Sequence, residues 1–215
     1  MTYNTSIPQE SNHPPSAGAA IAEGGLVADQ SNRRDSFPKE NTPILAEIIC
    51  DFNMTDSGNG ERFEILHGNR AHYNPDRGKW LVWIGKVWKW DSGAIVREWA
   101  LDTMREVINQ ANQLADTSKR NDLIKFALKS ESIRSLDAML IAAQNKQHIP
   151  IELEQLDANP MLLNVQNGTI DLTTGKLWPH NPKDLITKLI NIEYKPTKSQ
   201  VWQDFLTKIF NGDTD

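Results

Sequence analysis

Several patterns that would point directly to a function are missing from this chain of 215 residues. Its only cysteine, Cys50, excludes an internal disulfide, and it lies in the apolar run ILAEIIC, typical of a buried thiol in a reducing compartment. No run approaches the ~18 consecutive apolar residues of a membrane-spanning helix. The N-terminus lacks the basic start and apolar stretch of a secretion signal. These absences predict a cytoplasmic protein with no membrane partner.

Motifs for nucleotides and catalytic metals are missing as well. A phosphate-binding loop needs Gly-x4-Gly-Lys-Ser/Thr, but the Gly-Lys pairs at 78–79, 85–86 and 175–176 are followed by Trp, Val and Leu. The only Asp-x-Asp pair, Asp213 and Asp215, has no strand to present it to magnesium. The scattered histidines and the lone cysteine fit neither a zinc site nor a nucleophile. We therefore expect no catalytic residue, no metal site and no ATP hydrolysis.

The N-terminal part of the chain differs in composition from the rest. Residues 1–43 contain five prolines, many small polar residues and almost no large apolar side chain. Such a segment cannot bury enough surface to offset its ordering entropy. We predict a disordered tail over 1–43, an ordered domain over 44–195, and over 196–215 the start of a connection to a helicase module.

Four of the seven tryptophans lie in the stretch Tyr73–Asp91, which reads YNPDRGKWLVWIGKVWKWD. Alternating residues predict a strand around Trp80–Ile84, a turn at Gly85-Lys86 and a returning strand. Indoles with lysines between them are also typical of a surface that stacks single-stranded bases. Strand alternation places Trp80 and Trp83 on opposite faces, however, so we interpret most of the indoles as core.

Charge supports a nucleic-acid contact at the same place. The whole chain has a net charge of -5, whereas residues 67–97 hold six Lys or Arg and two Asp, a local net charge of +4. Cations supply the salt-dependent part of nucleic-acid affinity, and their charged heads must stay hydrated. The candidate DNA contacts are Arg77, Lys79, Lys86, Lys89 and Arg97.

Helical periodicity flanks this segment. A first helix is predicted to begin at Pro43 and to break at Asp56–Gly60, before a short helix over Glu61–His67 that Gly68 closes. From Ala94 three further helices are predicted, the second of them capped by Thr117 or Ser118. Their apolar positions are interpreted as core: Leu101, Met104, Ile108, Ala111, Ala115, Leu123, Ala127, Leu128, Ile133, Leu136, Leu140 and Ala143.

After Pro150 the pattern changes to short strands. The stretch LLNVQNGTIDLTTGKLWPH predicts a β-meander with a type I′ turn at Asn167-Gly168 and a second reversal at Thr174-Gly175. Residues 187–194 are predicted to add a strand, and Ser199 to cap a strongly apolar final helix. The sequence thus predicts an α+β fold, with a helical block flanked by a Trp-rich β-hairpin and a small antiparallel β-meander.

Motifs in both halves of this region resemble one family. The first half carries TDxGNxxRF over 55–63 and WLxWxGxxWxxD over 80–91. The second half carries NPxLLNxxNGTxDLxxG over 159–175, then PHxP, DxITK, YxP and WxxFL. In this order and spacing they resemble the phage and plasmid primase-helicase family. The similar region precedes the superfamily-three helicase module, is shared with the poxvirus primase-helicase, and corresponds to about residues 50–213.

The resemblance implies DNA replication. ATP and magnesium would bind in the helicase module of such a protein, so no cofactor is expected in this chain. The implied partners are single-stranded or forked DNA and a helicase module or other replication proteins, with a ring oligomer as a possible full-length form. In the family a polymerising primase domain often precedes this region and an ATPase motor follows it. We therefore expect this chain to be a fragment or a truncated product.

Three functions are compatible with these features. The leading hypothesis is a non-catalytic domain that contacts DNA and couples priming to ATP-dependent unwinding. The first alternative is a stand-alone single-stranded DNA-binding protein, which tight and strongly salt-dependent binding of an oligonucleotide would favour. The second is a protein-interaction module that docks a replication partner through the helical block, which partner binding without DNA affinity would favour.

Overall fold

The computed structural model describes residues 48–197 and 199–210. The predicted disordered tail and the predicted helix start at Pro43 lie outside the described residues. The described part combines α-helices with two three-stranded antiparallel sheets, which confirms the predicted α+β class. None of its helices is long and apolar enough to cross a membrane.

Residues 48–51 are helical, and the elements that follow them are numbered here in chain order. The described helices are α1 (Asp56–His67), α2 (Ala94–Ala111), α3 (Thr117–Ser130), α4 (Ile133–Ala143) and α5 (Gln200–Ile209). The strands are β1 (Ala71–Asn74), β2 (Lys79–Trp83), β3 (Trp88–Asp91), β4 (Leu162–Val165), β5 (Gly168–Asp171) and β6 (Lys176–Trp178). Short 3₁₀ turns lie at Leu153–Gln155 and Pro182–Asp184.

The predicted break at Asp56–Gly60 is wrong, because these residues form the first turns of α1. Thr55 caps the helix, since its Oγ1 accepts a hydrogen bond from the Gly58 amide at 3.1 Å. The two glycines allow close packing of backbones rather than a turn. A Cβ on Gly58 would stand 2.1 Å from the Asn53 carbonyl oxygen, and one on Gly60 would stand 2.9 Å from the Ala143 nitrogen of α4. Sequence propensity missed this helix because tertiary packing overrides the helical cost of glycine.

Arg62 anchors the residues before α1. Its guanidinium is fully buried and donates to the carbonyl oxygens of Ile49 (2.9 Å), Phe52 (2.5 Å) and Asn53 (2.8 Å). These carbonyls lie at and just beyond helical residues 48–51, where a helix leaves acceptors unpaired. Burial is the main factor that lowers the pKa of Arg62, to about 10, so the side chain stays charged at neutral pH. The TDxGNxxRF motif therefore stabilises α1 and the residues before it.

Strands β1, β2 and β3 form the first sheet in that order, so the predicted hairpin gains a third strand. Other segments cover both of its edges. Tyr73 of β1 donates its amide to the Ile149 carbonyl at 2.8 Å and accepts from the Ile151 amide at 3.0 Å. Trp88 of β3 donates its amide to the Ile186 carbonyl at 2.9 Å. Paired edges leave few free backbone groups to associate with other strands.

Strands β4, β5 and β6 form the second sheet, and its turns differ from the prediction. Val165 pairs with Gly168, so Gln166 and Asn167 form the β4–β5 turn, and neither has a positive φ. The predicted type I′ turn at Asn167-Gly168 is therefore wrong. Gly168 lies in β5, where a Cβ would stand 2.3 Å from the Trp178 carbonyl oxygen. The second predicted reversal agrees with Gly175, whose φ is +67°.

The predicted strand over 187–194 is absent from the described chain. Only Ile190 makes a β-bridge, which is parallel and joins it to Val165. Two further hydrogen bonds fix this segment to β4 and the turn after it, from the Ile190 amide to the Asn164 carbonyl at 2.9 Å and from the Gln166 amide to the Ile192 carbonyl at 2.8 Å. The chain from Ile186 to Ile192 thus joins the two sheets, since the Ile186 carbonyl accepts from the Trp88 amide of β3.

The helical block agrees with the predicted core at most positions but not at all of them. Met104, Ala111, Leu123, Ala127, Leu136, Leu140 and Ala143 are buried. Leu128 and Ile133 are exposed, and Ala115 is exposed beyond the end of α2. The cap of α3 is Asp116, not Thr117 or Ser118, because its carboxylate accepts from the Ser118 and Lys119 amides. In α2 the buried face also includes Ala100, Thr103 and Val107, whereas the predicted core residues Leu101 and Ile108 are only half-buried.

Candidate nucleic-acid interface

The four indoles of the first sheet divide between core and partial burial. Trp80 is 7% exposed and Trp88 only 1% exposed, whereas Trp83 and Trp90 are half-buried. Trp80 belongs to the main core with the helices, and its ring meets Phe63 edge-on at 5.6 Å. Trp88 belongs to a smaller core on the opposite face of the sheet. The predicted opposite orientation of Trp80 and Trp83 therefore explains why the indoles do not form one stacking surface.

The cationic residues are divided by the same alternation. Lys79 precedes Leu81 by two residues, and Leu81 pairs with Trp90, so these three side chains share one face. Lys89 pairs with Val82 and lies on the other face. Both lysines are exposed. The sheet thus does not bring Lys79 and Lys89 together into one rim.

Lys86 contributes to the structure between the two sheets. Its ammonium donates to the Gln166 carbonyl oxygen at 2.7 Å and to Gln166 Oε1 at 3.0 Å. Its own carbonyl accepts from Asn164 Nδ2 at 2.8 Å. The Gly85-Lys86 turn is therefore fixed to β4 and the turn after it. A substitution of Lys86 would alter the packing of the sheets as well as the surface charge.

Arg97 lies on α2 and already has an anionic partner. Its guanidinium contacts the Asp137 carboxylate of α4 at 2.8 Å, and both side chains are exposed. An exposed ion pair of this kind contributes ~0.2–1 kcal/mol to the free energy of folding. The pairing lowers the positive charge that Arg97 presents to a ligand.

Arg77 and Trp90 form the best-defined cationic feature among the predicted site residues. The Arg77 guanidinium carbon lies 4.8 Å from the centroid of the Trp90 ring. Arg77 is exposed and Trp90 is half-buried, so the pair stands at the surface. Lys79 lies on the same face, diagonally across from Trp90. One end of the sheet therefore presents two cations and an indole, the groups that contact phosphates and bases.

Asn74 holds this end of the sheet in place, although it is not among the residues predicted from the sequence as a site. Its side chain is fully buried, and its Oδ1 accepts from the Arg77 amide at 2.9 Å while its Nδ2 donates to the Ile151 carbonyl at 2.9 Å. The turn that carries Arg77 is thereby bonded to the segment that covers β1. Only the spacing of Asn74 and Arg77 in an Asn-Pro-Asp-Arg-Gly turn could have suggested the contact.

A second arginine–indole pair lies between α1 and α2. The Arg70 guanidinium carbon is 4.3 Å from the Trp99 ring, and Arg70 Nε lies 3.3 Å from His67 Nδ1. His67 Nε2 lies 3.0 Å from Thr103 Oγ1. Burial, followed by the charge of Arg70, lowers the pKa of His67 to about 3, so its ring is neutral at ordinary pH. This cluster packs two helices together.

The described residues contain no group of three or more His, Cys, Asp or Glu side chains that could hold a metal ion. Cys50 is buried, and burial raises the pKa of its thiol. Asp213 and Asp215, which the sequence does not favour as a metal site, lie outside the described residues.

Comparison with protein families identifies the domain. The sequence model described as D5 N terminal like matches residues 60–211, which is more than half of the chain. The chain belongs to this family. The D5 N-terminal-like domain is the N-terminal domain of D5-like primase-helicase proteins, so the resemblance predicted from the motifs is confirmed. No curated protein matches the chain.

Family membership places the D5 N-terminal-like domain in a primase-helicase-type protein, in the context of DNA replication. The matched residues include both sheets, α2 to α5 and all five predicted contact residues. The features at the exposed end of the first sheet therefore belong to the family domain itself.

Proposed function

We propose that this D5 N-terminal-like domain is a non-catalytic part of a primase-helicase that contacts DNA through one end of its first sheet. The contact surface consists of Arg77, Lys79 and Trp90. The domain holds single-stranded or forked DNA close to a helicase module, and so couples priming to unwinding. Replication proteins and the helicase module are its proposed protein partners.

The stacking of Arg77 on Trp90 is the observation that supports the proposal. A guanidinium held over an indole presents a flat cation to a phosphate, and the exposed part of the ring presents an aromatic surface to a base. Asn74 fixes the backbone of this turn, so little of it must become ordered on binding. Lys79 adds a second hydrated cation to the same face.

The charge of the domain also favours DNA binding at one local site over binding across a broad basic surface. The chain carries 28 acidic and 23 basic residues, so its net charge does not attract a polyanion. Two cations at one place supply a modest affinity that salt weakens. The expected mode is therefore positioning of a strand within a larger assembly, rather than tight independent binding.

The test measures anisotropy of a labelled oligo(dT) of about twenty nucleotides with wild-type protein and two matched double variants. Arg77→Ala with Lys79→Ala removes the proposed cations. Lys125→Ala with Lys129→Ala removes the same charge from exposed positions on α3. The first variant should bind more weakly, and its log–log salt slope should be flatter by about 1.4, since two phosphate contacts are lost.

The control variant should bind like the wild type at every salt concentration. Lys89→Ala should also bind like the wild type, because Lys89 lies on the other face of the sheet. Equal weakening by the α3 variant would mean that only net charge matters, and the proposed surface would be wrong. Unchanged binding by the Arg77/Lys79 variant would exclude it directly.

A further inference from the structure

A groove separates β3 and its preceding turn from the segment after the second 3₁₀ turn. It has a volume of about 420 Å³ and is lined by Ile84, Lys86, Val87, Lys89, Thr187 and Leu189. This volume lies in the usual range for sites that hold small ligands or a few side chains, about 300–1,000 Å³. The groove lies toward the Trp83 end of β2, whereas Arg77 lies beyond its Lys79 end.

The walls of the groove are fixed by hydrogen bonds on both sides. The Ile84 amide donates to the Val87 carbonyl at 3.1 Å and closes the turn on one side. Asn164 Nδ2 reaches both walls, since it donates to the carbonyl oxygens of Lys86 at 2.8 Å and Lys188 at 3.2 Å. The groove is therefore formed before any ligand binds, which lowers the entropy cost of binding.

The groove is cationic and has no carboxylate in its lining. Lys86 donates to two neutral oxygens of Gln166, so its charge is not compensated by that contact. Lys89 is exposed and makes no ion pair with a described residue. The acid nearest to it along β3, Asp91, accepts from the Val96 amide at 3.1 Å and so caps α2. A ligand for this groove should carry negative charge.

The apolar part of the lining distinguishes between two kinds of anionic partner. Ile84, Val87 and Leu189 are aliphatic, and the lining contains no aromatic ring on which a base could stack. Ile84 is 46% exposed, so an apolar side chain seated on it would remove real apolar surface from water. Aliphatic walls between two lysines therefore suit a peptide better than a nucleic acid.

We propose that this groove binds an acidic, hydrophobic peptide segment of a partner protein. An apolar side chain of the peptide packs on Ile84 and Leu189, and flanking carboxylates pair with Lys86 and Lys89. A groove of about 420 Å³ holds a few side chains and not the face of a folded domain. The contact area is therefore smaller than that of the usual protein–protein interface, about 1,200–2,000 Å².

The experiment uses a short fluorescent peptide in which a Leu-Phe pair is flanked by Asp residues. Two control peptides replace the Asp residues with Asn, or the Leu-Phe pair with Ala-Ala. The full chain should bind the first peptide saturably and each control peptide more weakly. Lys89→Ala should weaken binding about two- to fivefold, the range of one exposed ion pair, and should flatten its salt dependence. Ile84→Ser should weaken binding without changing the salt dependence.

Lys86 is left unchanged because its ammonium also joins the two sheets. Thermal melting of each variant verifies folding, and the Arg77/Lys79 variant should bind the peptide like the wild type. This last comparison separates the groove from the proposed DNA surface. The proposal is overturned if no peptide binds at up to about 1 mM, or if the Asn peptide binds equally. It is also overturned if folded Lys89→Ala is unaffected, or if oligo(dT) displaces the peptide, which would make the groove a nucleic-acid site.

Discussion

Gly60 of α1 lies so close to Ala143 of α4 that a Cβ on the glycine would stand 2.9 Å from the Ala143 nitrogen. Such a distance requires backbone to move, because the nearest atoms belong to the end of a helix and not to a side chain that can rotate. The first glycine-rich motif of the chain therefore sets the separation of two helices. It bears on the stability of the domain and not on a ligand.

Gly60→Ala should destabilise the protein by about 1–3 kcal/mol, the usual cost of forcing extra volume into a packed interior. In an isolated helix the same change would stabilise by about 0.5–1 kcal/mol, so the sign of the effect tests the packing. Urea denaturation measures it. Ser57→Ala, at an exposed position of the same helix, should change the free energy of unfolding by less than about 0.5 kcal/mol. A stabilised Gly60→Ala variant would contradict the close approach of α1 and α4.

Gly168 and Gly175 should respond differently to alanine. A Cβ on Gly168 would stand 2.3 Å from the Trp178 carbonyl oxygen, whereas nothing lies within 4 Å of one on Gly175. Gly175→Ala should therefore cost only the ~1–2 kcal/mol of a left-handed residue, and Gly168→Ala should cost more. Gly168→Val should also cost more than Gly175→Ala, because it adds the close contact with Trp178 to the backbone strain. Equal melting temperatures for the two alanine variants would show that the contact with Trp178 is not made.

Trp88 and Trp202 give a matched pair for the question of core against surface. Trp88 is 1% exposed and donates its Nε1 to the Pro182 carbonyl at 2.8 Å, whereas Trp202 of α5 is 58% exposed. Trp88→Ala should destabilise by about 3–5 kcal/mol, and Trp80→Ala should act similarly. Trp202→Ala should change the free energy of unfolding by less than about 0.5 kcal/mol. Chemical denaturation of the variants measures both, and a tolerant Trp88 site would overturn the core assignment.

His67 should make the domain less stable as the pH falls. Its folded-state pKa is lowered from 6.5 to about 3, so below about pH 6.5 the unfolded chain takes up a proton that the folded one does not. The free energy of unfolding that the neutral His67 ring contributes is fully present above about pH 6.5. It falls as the pH is lowered toward 3, by up to about 1.4 kcal/mol per pH unit. Urea denaturation between about pH 6.5 and pH 3 should show that the free energy of unfolding falls less steeply in His67→Gln than in the wild type. Identical slopes would mean that the ring is not held neutral.

His72 contributes to the residual slope of that variant. Burial is the main factor that lowers its pKa, and it lies on β1 beside Trp88 at a ring-centroid distance of 4.7 Å. The two histidines titrate in the same direction, so only the difference between wild type and His67→Gln isolates His67.

The order of strands and helices around the first sheet could be predicted from local sequence patterns. Alternation in KWLVW and helical spacing after Ala94 are properties of neighbouring residues, and the structure has a strand and a helix there. The opposite faces of Trp80 and Trp83 also follow from the period of a strand. The motif resemblance named the family correctly because the order and spacing of residues survive without any knowledge of contacts.

The features that were missed depend on partners distant in the chain. Nothing in DSGNGERF shows that α4 will lie against Gly60, or that Arg62 will meet the carbonyl oxygens of Ile49, Phe52 and Asn53. Local propensity therefore predicts a break in this segment. The glycine in QNGT was predicted as a turn residue because the Trp178 carbonyl that excludes a side chain lies ten residues away. Local propensity differs by about 1 kcal/mol between glycine and alanine, and a packed contact outweighs it.

The sequence by itself determined which residues are cationic or aromatic in the first sheet, and that the indoles alternate between faces. Only the tertiary structure decided which of them act together. It placed Arg77 over Trp90, turned Lys86 toward Gln166 and paired Arg97 with Asp137. The reason is physical: charge and strand period belong to a residue and its neighbours, whereas a salt bridge or a stacked ring needs a second group brought within about 4–6 Å by the fold.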